Sequence, residues 1–262
     1  MKEYYLKNNK PSPIRKILCN HDFRNLWYAQ IFSQLADKFF IVLAVYLISN
    51  NWSNNLLNSS TKEAQVITIL ATGIYIANSM PAILFGAFAG IASDRLSKRK
   101  VMIFSNFLRA IFSLLIPLCL IKFKIIYGIQ SGYWVLIIIT FINSFLTQFF
   151  TPAEQSSIPL ILEKENLMAA NSLYQATTMG ATIFGFALGE PLIRFIRFIF
   201  EKSSINGGEF ILLPLCYLIA SIALFNINLI EKNKVKSKQN IWKDFKSSID
   251  ILKRIKIVRK AI

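Results

Sequence analysis

Six stretches of about 20 mostly apolar residues, separated by polar connectors, constrain this chain more than any other feature. They fall at 26–48, 66–91, 101–121, 133–150, 168–200 and 210–230. The hydrocarbon core of a bilayer is about 30 Å thick and takes roughly 20 apolar residues per crossing helix. Backbone in lipid has to satisfy its own hydrogen bonds, so such runs form helices. The fifth stretch is too long for one straight span and is expected to include a cytoplasmic lead-in or an interfacial end. The expected fold is therefore an all-α membrane protein with six transmembrane helices. Only 17% of the 262 residues are charged, against about 25% in a soluble domain. That is too little charge to cover the surface of a soluble globule.

The charge that is present is sorted. The net charge is +16. Of the 30 Lys and Arg, 22 fall before the first span, in the second-to-third and fourth-to-fifth loops, and after residue 230; six fall in the other loops. Positive residues accumulate on the cytoplasmic side, so both termini are expected in the cytoplasm. This sorting, with no aromatic residues interleaved among the basic ones, argues against nucleic-acid binding. Residues 1–25 are polar and basic with no small-residue cleavage site, so the first span is expected to persist in the mature protein. Residues 26–230 form the membrane bundle. Residues 231–262 read as a basic cytoplasmic linker leading into an amphipathic helix, with Trp242, Phe245, Ile249 and Leu252 on one face.

Polar residues inside the spans come next. Gln30, Gln34 and Asp37 share one helical face of the first span. Thr140, Asn143, Ser144 and Thr147 do so in the fourth. Asn171, Gln175, Thr178 and Thr182, continued by Gly185 and Gly189, do so in the fifth. For any one of them, interhelical hydrogen bonding worth about 0.6 kcal/mol is the better reading. Three stripes on three helices favour an aqueous central pathway for a small-molecule or lipid substrate. Asp37 either faces that cavity or pairs with the adjacent Lys38. Arg109 either snorkels to the cytoplasmic surface or pairs with an acid such as Asp37. Glu190 is a candidate coupling carboxylate, or sits in the wet outer interface with Arg194. No Ser/His/Asp or Cys/His constellation and no phosphate-cradling glycine loop is present, so an enzyme is not expected. The single histidine, His21, and the widely spaced Cys19, Cys119 and Cys216 offer no metal or cofactor site.

Between the second and third spans the chain reads Gly86-Ala-Phe-Ala-Gly90-Ile-Ala-Ser-Asp94-Arg95-Leu-Ser97-Lys98-Arg99-Lys100. About eight connecting residues are expected to form a tight cytoplasmic hairpin, with Gly86 and Gly90 permitting close helix approach. Asp94 sits at a helix C-terminus, where the macrodipole disfavours an anion. Its partner has to be a loop cation or the N-terminus of another helix, a contact suited to a conformational latch.

Gly90-x-x-x-Asp94-Arg95-x-Ser97-Lys98-Arg99 resembles the loop signature G-x-x-x-D-R-x-G-R-[KR] of the major facilitator superfamily, with Ser97 where the signature has a second glycine. Phe150-Thr-Pro152-Ala153-Glu154 through Pro159, followed by Glu165-Asn166 through Ala170-Asn171, resembles the fourth-to-fifth loop of the bacterial exporter branch that includes the enterobactin exporter. Gly185-Phe186-Ala-Leu-Gly189-Glu190 is similar to that branch's G-P-x-x-G-G, with Phe186 in place of the proline and Glu190 in place of the last glycine. The resemblance implies the N-terminal six-helix half of a permease of a bacterial-type inner membrane, built from two inverted three-helix repeats. It implies a latch of Gly90, Asp94, Arg95 and Arg99, Asp37 as coupling group, and a substrate path along Gln30, Gln34, Asn143, Thr147, Gln175 and Thr178. The bundle would then meet a second six-helix half or a second copy of itself, or derive from a truncated gene. A lysophospholipid flippase-like transporter and a non-transporting regulatory subunit are the alternatives.

Overall fold

A computed structural model describes residues 13–52, 60–121, 125–126, 129–202 and 207–229. The helices are α1 (Pro13–Leu18), α2 (His21–Asn51), α3 (Ser60–Arg95), α4 (Lys98–Leu114), α5 (Ser131–Ile161), α6 (Leu167–Lys202) and α7 (Leu212–Phe225). The one departure from helix and loop among the described residues is a short antiparallel pairing, with Ile125–Ile126 against Ile129–Gln130, between α4 and α5. The tail expected to lie on the inner surface, 231–262, is outside the described residues.

Local chemistry sets the helix ends. The Asn20 side chain accepts hydrogen bonds from the backbone N–H of Asp22 and Phe23 at 3.0 and 3.1 Å and caps α2. Asp22 then sits on the positive end of the dipole. Thirty-one residues give α2 a length of about 46 Å, more than the bilayer core. Pro117 has no N–H for an α-helical ladder, and after Leu114 the third span continues as a 3-10 turn, Ile116–Leu120. The last span stops at Phe225, five residues short of the apolar run. The expected eight-residue connector is in fact two residues, Leu96 and Ser97, because α3 stays helical through Asp94 and Arg95. Ser97 stands at the N-terminal boundary of α4 at φ −63°, without a side-chain capping bond, in a conformation any L-residue adopts. The turn therefore has no need of the signature's glycine.

Five segments are long and apolar enough to cross a membrane: His21–Asn51, Ala64–Arg95, Lys98–Leu120, Ser131–Ile161 and Gly208–Phe225. The 36-residue α6 is not among them. Asn171 and Gln175 at one end and Glu190, Arg194 and Arg197 at the other dilute its apolar run.

The helices pack in a regular pattern. α2 packs on α6 and α7, α3 on α5, and α4 on α5 and α7. Exchanging α2, α3 and α4 with α5, α6 and α7 maps every one of these pairs onto another of them or onto itself. Two apolar clusters fill the interior. One gathers Leu43, Leu47, Ile48, Tyr133, Leu136 and Leu213. The other gathers Phe23, Leu26, Ala29, Met102, Phe150 and Leu224. The polar residues Ser33, Asn106 and Arg109 are buried where the two clusters meet.

Gly185 and Gly189 let α2 and α6 close together. A Cβ built at Gly185 would lie 2.5 Å from Cβ of Lys38, and one at Gly189 3.0 Å from Val42. Gly86 and Gly90 are different. A Cβ at Gly90 meets no atom within 4 Å, and one at Gly86 only reaches Gln148 at 4.0 Å. Their expected helix partner is not among the described residues. Gly185→Ala is expected to cost about 1–3 kcal/mol by overpacking, read as a lower Tm in detergent. Gly180→Ala, where a Cβ meets nothing within 4 Å, leaves Tm unchanged or raises it. Equal Tm shifts for the two variants would contradict this account of the α2–α6 contact.

Candidate functional site

Residues at i, i+3, i+4 and i+7 share a helix face, and Gln34, Asp37, Lys38 and Ile41 form such a line on α2. Asn78, Ser79, Ala82 and Ile83 on α3, and Asn143, Ser144, Thr147 and Gln148 on α5, are two adjacent rows each, joined by i+3 and i+4 spacings. These three sets, with Tyr217 of α7, enclose a cavity of about 470 Å³. Asp37 and Lys38 lie near the midpoint of α2, so the cavity sits at mid-helix depth.

Behind its wall lies Arg109 of α4, with 0% of its surface exposed. Its Nη1 donates to Asp37 Oδ1 at 3.2 Å and to Thr147 Oγ1 at 3.3 Å. Its Nη2 donates to Asn106 Oδ1 at 2.6 Å. Ser33 donates to the same Asn106 oxygen at 2.8 Å, and the Tyr217 hydroxyl donates to Asp37 Oδ1 at 2.6 Å. The guanidinium also faces the rings of Phe150 and Tyr217, 4.7 and 4.9 Å from their centroids, an arrangement that stabilises a desolvated cation. One side chain thereby ties α2, α4, α5 and α7. Of the two places open to Arg109, a surface and an acid, it takes the acid.

The sequence stripes divide. Gln34, Asp37, Asn143 and Thr147 reach the cavity wall. Gln30 does not; it is buried, and its amide donates to the Tyr174 carbonyl at 3.4 Å and to Thr178 Oγ1 at 3.2 Å, tying α2 to α6. Thr178 is spent on that tie and on its own helix. Gln175 is exposed and lies outside the cavity. α6 turns its small residues, Ala181, Gly185 and Gly189, toward α2 instead. Glu190 pairs with Arg194 at 2.6 Å on the exposed surface. Both line a second cavity of about 350 Å³ with Tyr46, Tyr75 and Phe186. Arg197 donates to the Tyr46 hydroxyl and to Glu201, both at 2.7 Å. In the α3–α4 hairpin, Asp94 and Arg95 are exposed, and Arg99 Nη2 donates to the carbonyl of Phe225 at the end of α7. That places a cation at a helix C-terminus, where the dipole favours it.

Several residues at the site are not among the sequence's candidate site residues, although Glu154 lies in the Phe150–Pro159 motif. Asn106 precedes Arg109 by three positions and so shares its face, a signal that was available. Asn78 and Ser79 form a polar pair in the second apolar run. Tyr217 carries no polar neighbour to mark it. Glu154, four residues after Phe150, is 3% exposed, and its Oε1 has no hydrogen-bond partner among the described residues. It interacts electrostatically with Arg109. Among the described residues no cluster of three His, Cys, Asp or Glu could hold a metal.

The profile of the Major Facilitator Superfamily matches residues 26–260. The chain is 27% identical over 171 residues to YjbB, an uncharacterized MFS-type transporter of Bacillus subtilis (strain 168), covering 61% of this chain and 40% of that protein. It is 26% identical over 173 residues to YkuC, another uncharacterized MFS-type transporter of the same strain, covering 66% of this chain and 36% of that protein. The chain thus spans less than half the length of these relatives. No solved structure matches it.

Removing one member of a buried ion pair leaves the other uncompensated, at a cost of about 3–5 kcal/mol. Asp37→Asn and Arg109→Gln are each expected to destabilise the folded bundle on that scale. The double variant is expected to lose less than the sum, by about 1–3 kcal/mol. Unfolding free energies in mixed micelles check this double-mutant cycle; strictly additive losses would show that the pair is not coupled.

Proposed function

The chain belongs to the Major Facilitator Superfamily, and from that premise we propose that it moves a small solute across the membrane by alternating access, as an exporter-type secondary permease. The observation that carries this reading is the polar cavity at mid-helix depth, with a carboxylate in its wall and that carboxylate's counter-ion buried behind it. Charged groups at that depth cost about 2.5–3.5 kcal/mol each on insertion scales and persist where they face a cavity or a partner. Secondary transporters bind their substrates near the midplane.

In this reading Gln34, Asn143 and Thr147 contact the solute. Asp37 is the coupling group and Arg109 its counter-ion. A proton or cation arriving at Asp37 releases the guanidinium to Asn106, Thr147 and the flanking rings, which loosens α2 from α4. Gln30 and Thr178 hold α6 to α2 during that change. Glu190, paired with Arg194, belongs to the outer vestibule. Gly90, Asp94, Arg95 and Arg99 form the cytoplasmic latch; Arg99 already holds α7, and exposed Asp94 awaits a helix N-terminus of an opposing bundle. The six long helices act as two inverted three-helix repeats, a reading supported by the exchange symmetry of their contacts, with both termini in the cytoplasm. The exposed apolar faces of α3 (Ile69, Ile76) and α6 (Ile183, Phe195, Phe198) meet lipid and a second six-helix bundle.

Proteoliposomes carrying an imposed pH gradient are expected to show gradient-dependent flux of a small solute. Thr147→Trp, which fills the cavity, is expected to lower it at least about tenfold. Asp37→Asn is expected to remove its dependence on the gradient, scored per amount of monodisperse protein recovered. Flux that stays gradient-dependent in Asp37→Asn would show that coupling resides elsewhere.

A further inference from the structure

We propose that the central cavity selects a small anionic, hydrogen-bonding solute, with Lys38 as the residue that recognises its negative charge. The inference deepens the transport reading and takes its cavity from it. Among the described residues that line that cavity only Asp37 and Lys38 are charged. Asp37 Oδ1 accepts from both Arg109 and Tyr217, so its charge is balanced from behind the wall. Lys38 has no ion pair among the described residues. Its stem lies against Gly185 of α6, which leaves room for it. It sits near the middle of a 31-residue helix, too deep to bring its ammonium to a headgroup by snorkelling. With Asp37 offset by Arg109 from behind the wall, Lys38 is the unbalanced charge that faces the cavity. Glu154 of α5 and Tyr174 of α6 are the other titratable groups nearby, and neither is part of the wall.

A second feature also points to an occupant. Asn143 is 5% exposed, and both its Nδ2 and its Oδ1 lack partners. Buried polar atoms are paired in the great majority of cases, so a cavity-wall amide that is unpaired on both of its buried atoms needs only a side-chain rotation to meet something that both accepts and donates. Gln34 and Gln148 add amides to the same wall, and Ser79 and Thr147 add hydroxyls. A carboxylate or phosphate bearing hydroxyl or amide groups satisfies both Lys38 and Asn143. The volume of about 470 Å³ falls in the usual range for small-molecule sites.

The test reads the potential at the site without needing the natural substrate. Cys19, Cys119 and Cys216 are replaced, and a single cysteine is placed at Ser79 in the full chain. Its reaction rates with anionic methanethiosulfonate ethylsulfonate and cationic methanethiosulfonate ethyltrimethylammonium are compared, each normalised to a free thiol. A cleft of one sign concentrates counter-ions about tenfold or more. The expected result is a normalised preference of about tenfold for the anionic reagent, lost in Lys38→Gln and kept in Lys38→Arg. Preference for the cationic reagent, a preference indifferent to Lys38→Gln, or no reaction with either reagent would overturn the assignment. Flux measured on the same protein separates the two claims. Anion preference without flux sinks the transport reading and leaves the site; flux with cation preference does the reverse.

Discussion

A guanidinium with no exposed surface dictates the arrangement around it. Arg109 pairs its charge with Asp37 from α2, its two Nη groups with Asp37, Thr147 and Asn106, and its faces with Phe150 and Tyr217. Four helices are placed by that one residue. The two apolar clusters above and below contribute most of the buried area, but hydrophobic contact is non-directional, and in lipid it does not distinguish a helix from its surroundings. The polar layer supplies the register that the apolar clusters lack.

That constraint also explains why the cavity lies where it does. Asp37 has to turn one oxygen back toward Arg109, which brings the stripe of Gln34, Asp37 and Lys38 to face α3 and α5. The α6 side of α2 is then closed by glycine contacts at Gly185 and Gly189 and by the tie from Gln30 to Thr178. One face of α2 is wet and polar, and the adjoining face is tightly packed. A helix held in that way can rock about its packed edge as the ion pair makes and breaks.

Much of this was legible in the residues. Apolar run length located the long helices, since lipid demands helix wherever roughly 20 apolar residues run together. The i, i+3, i+4 spacing groups Gln34 with Asp37 and Asn143 with Thr147, and all four line the cavity, but spacing states which residues share a face and not what that face meets. Gln30 and Gln175 carry the same signal as Gln34, yet one is glue and the other is exposed. Deciding between them needs the helix–helix contacts, which are non-local. Tyr217 was invisible for a related reason: a tyrosine in an apolar run becomes polar only when a carboxylate from another helix comes within reach of its hydroxyl. The helix ends were misjudged where apolar composition outruns helix geometry, as at Pro117 and after Phe225.

The account as a whole requires the cavity to meet water on each side of the membrane in turn. In right-side-out and inside-out vesicles, an impermeant thiol reagent applied to a cysteine at Asn78 tests this directly. The expected result is reaction from both faces, with reactivity from one face falling as conditions raise it from the other. A cysteine reached from neither face, or from one face alone under every condition, would contradict a carrier built around this cavity.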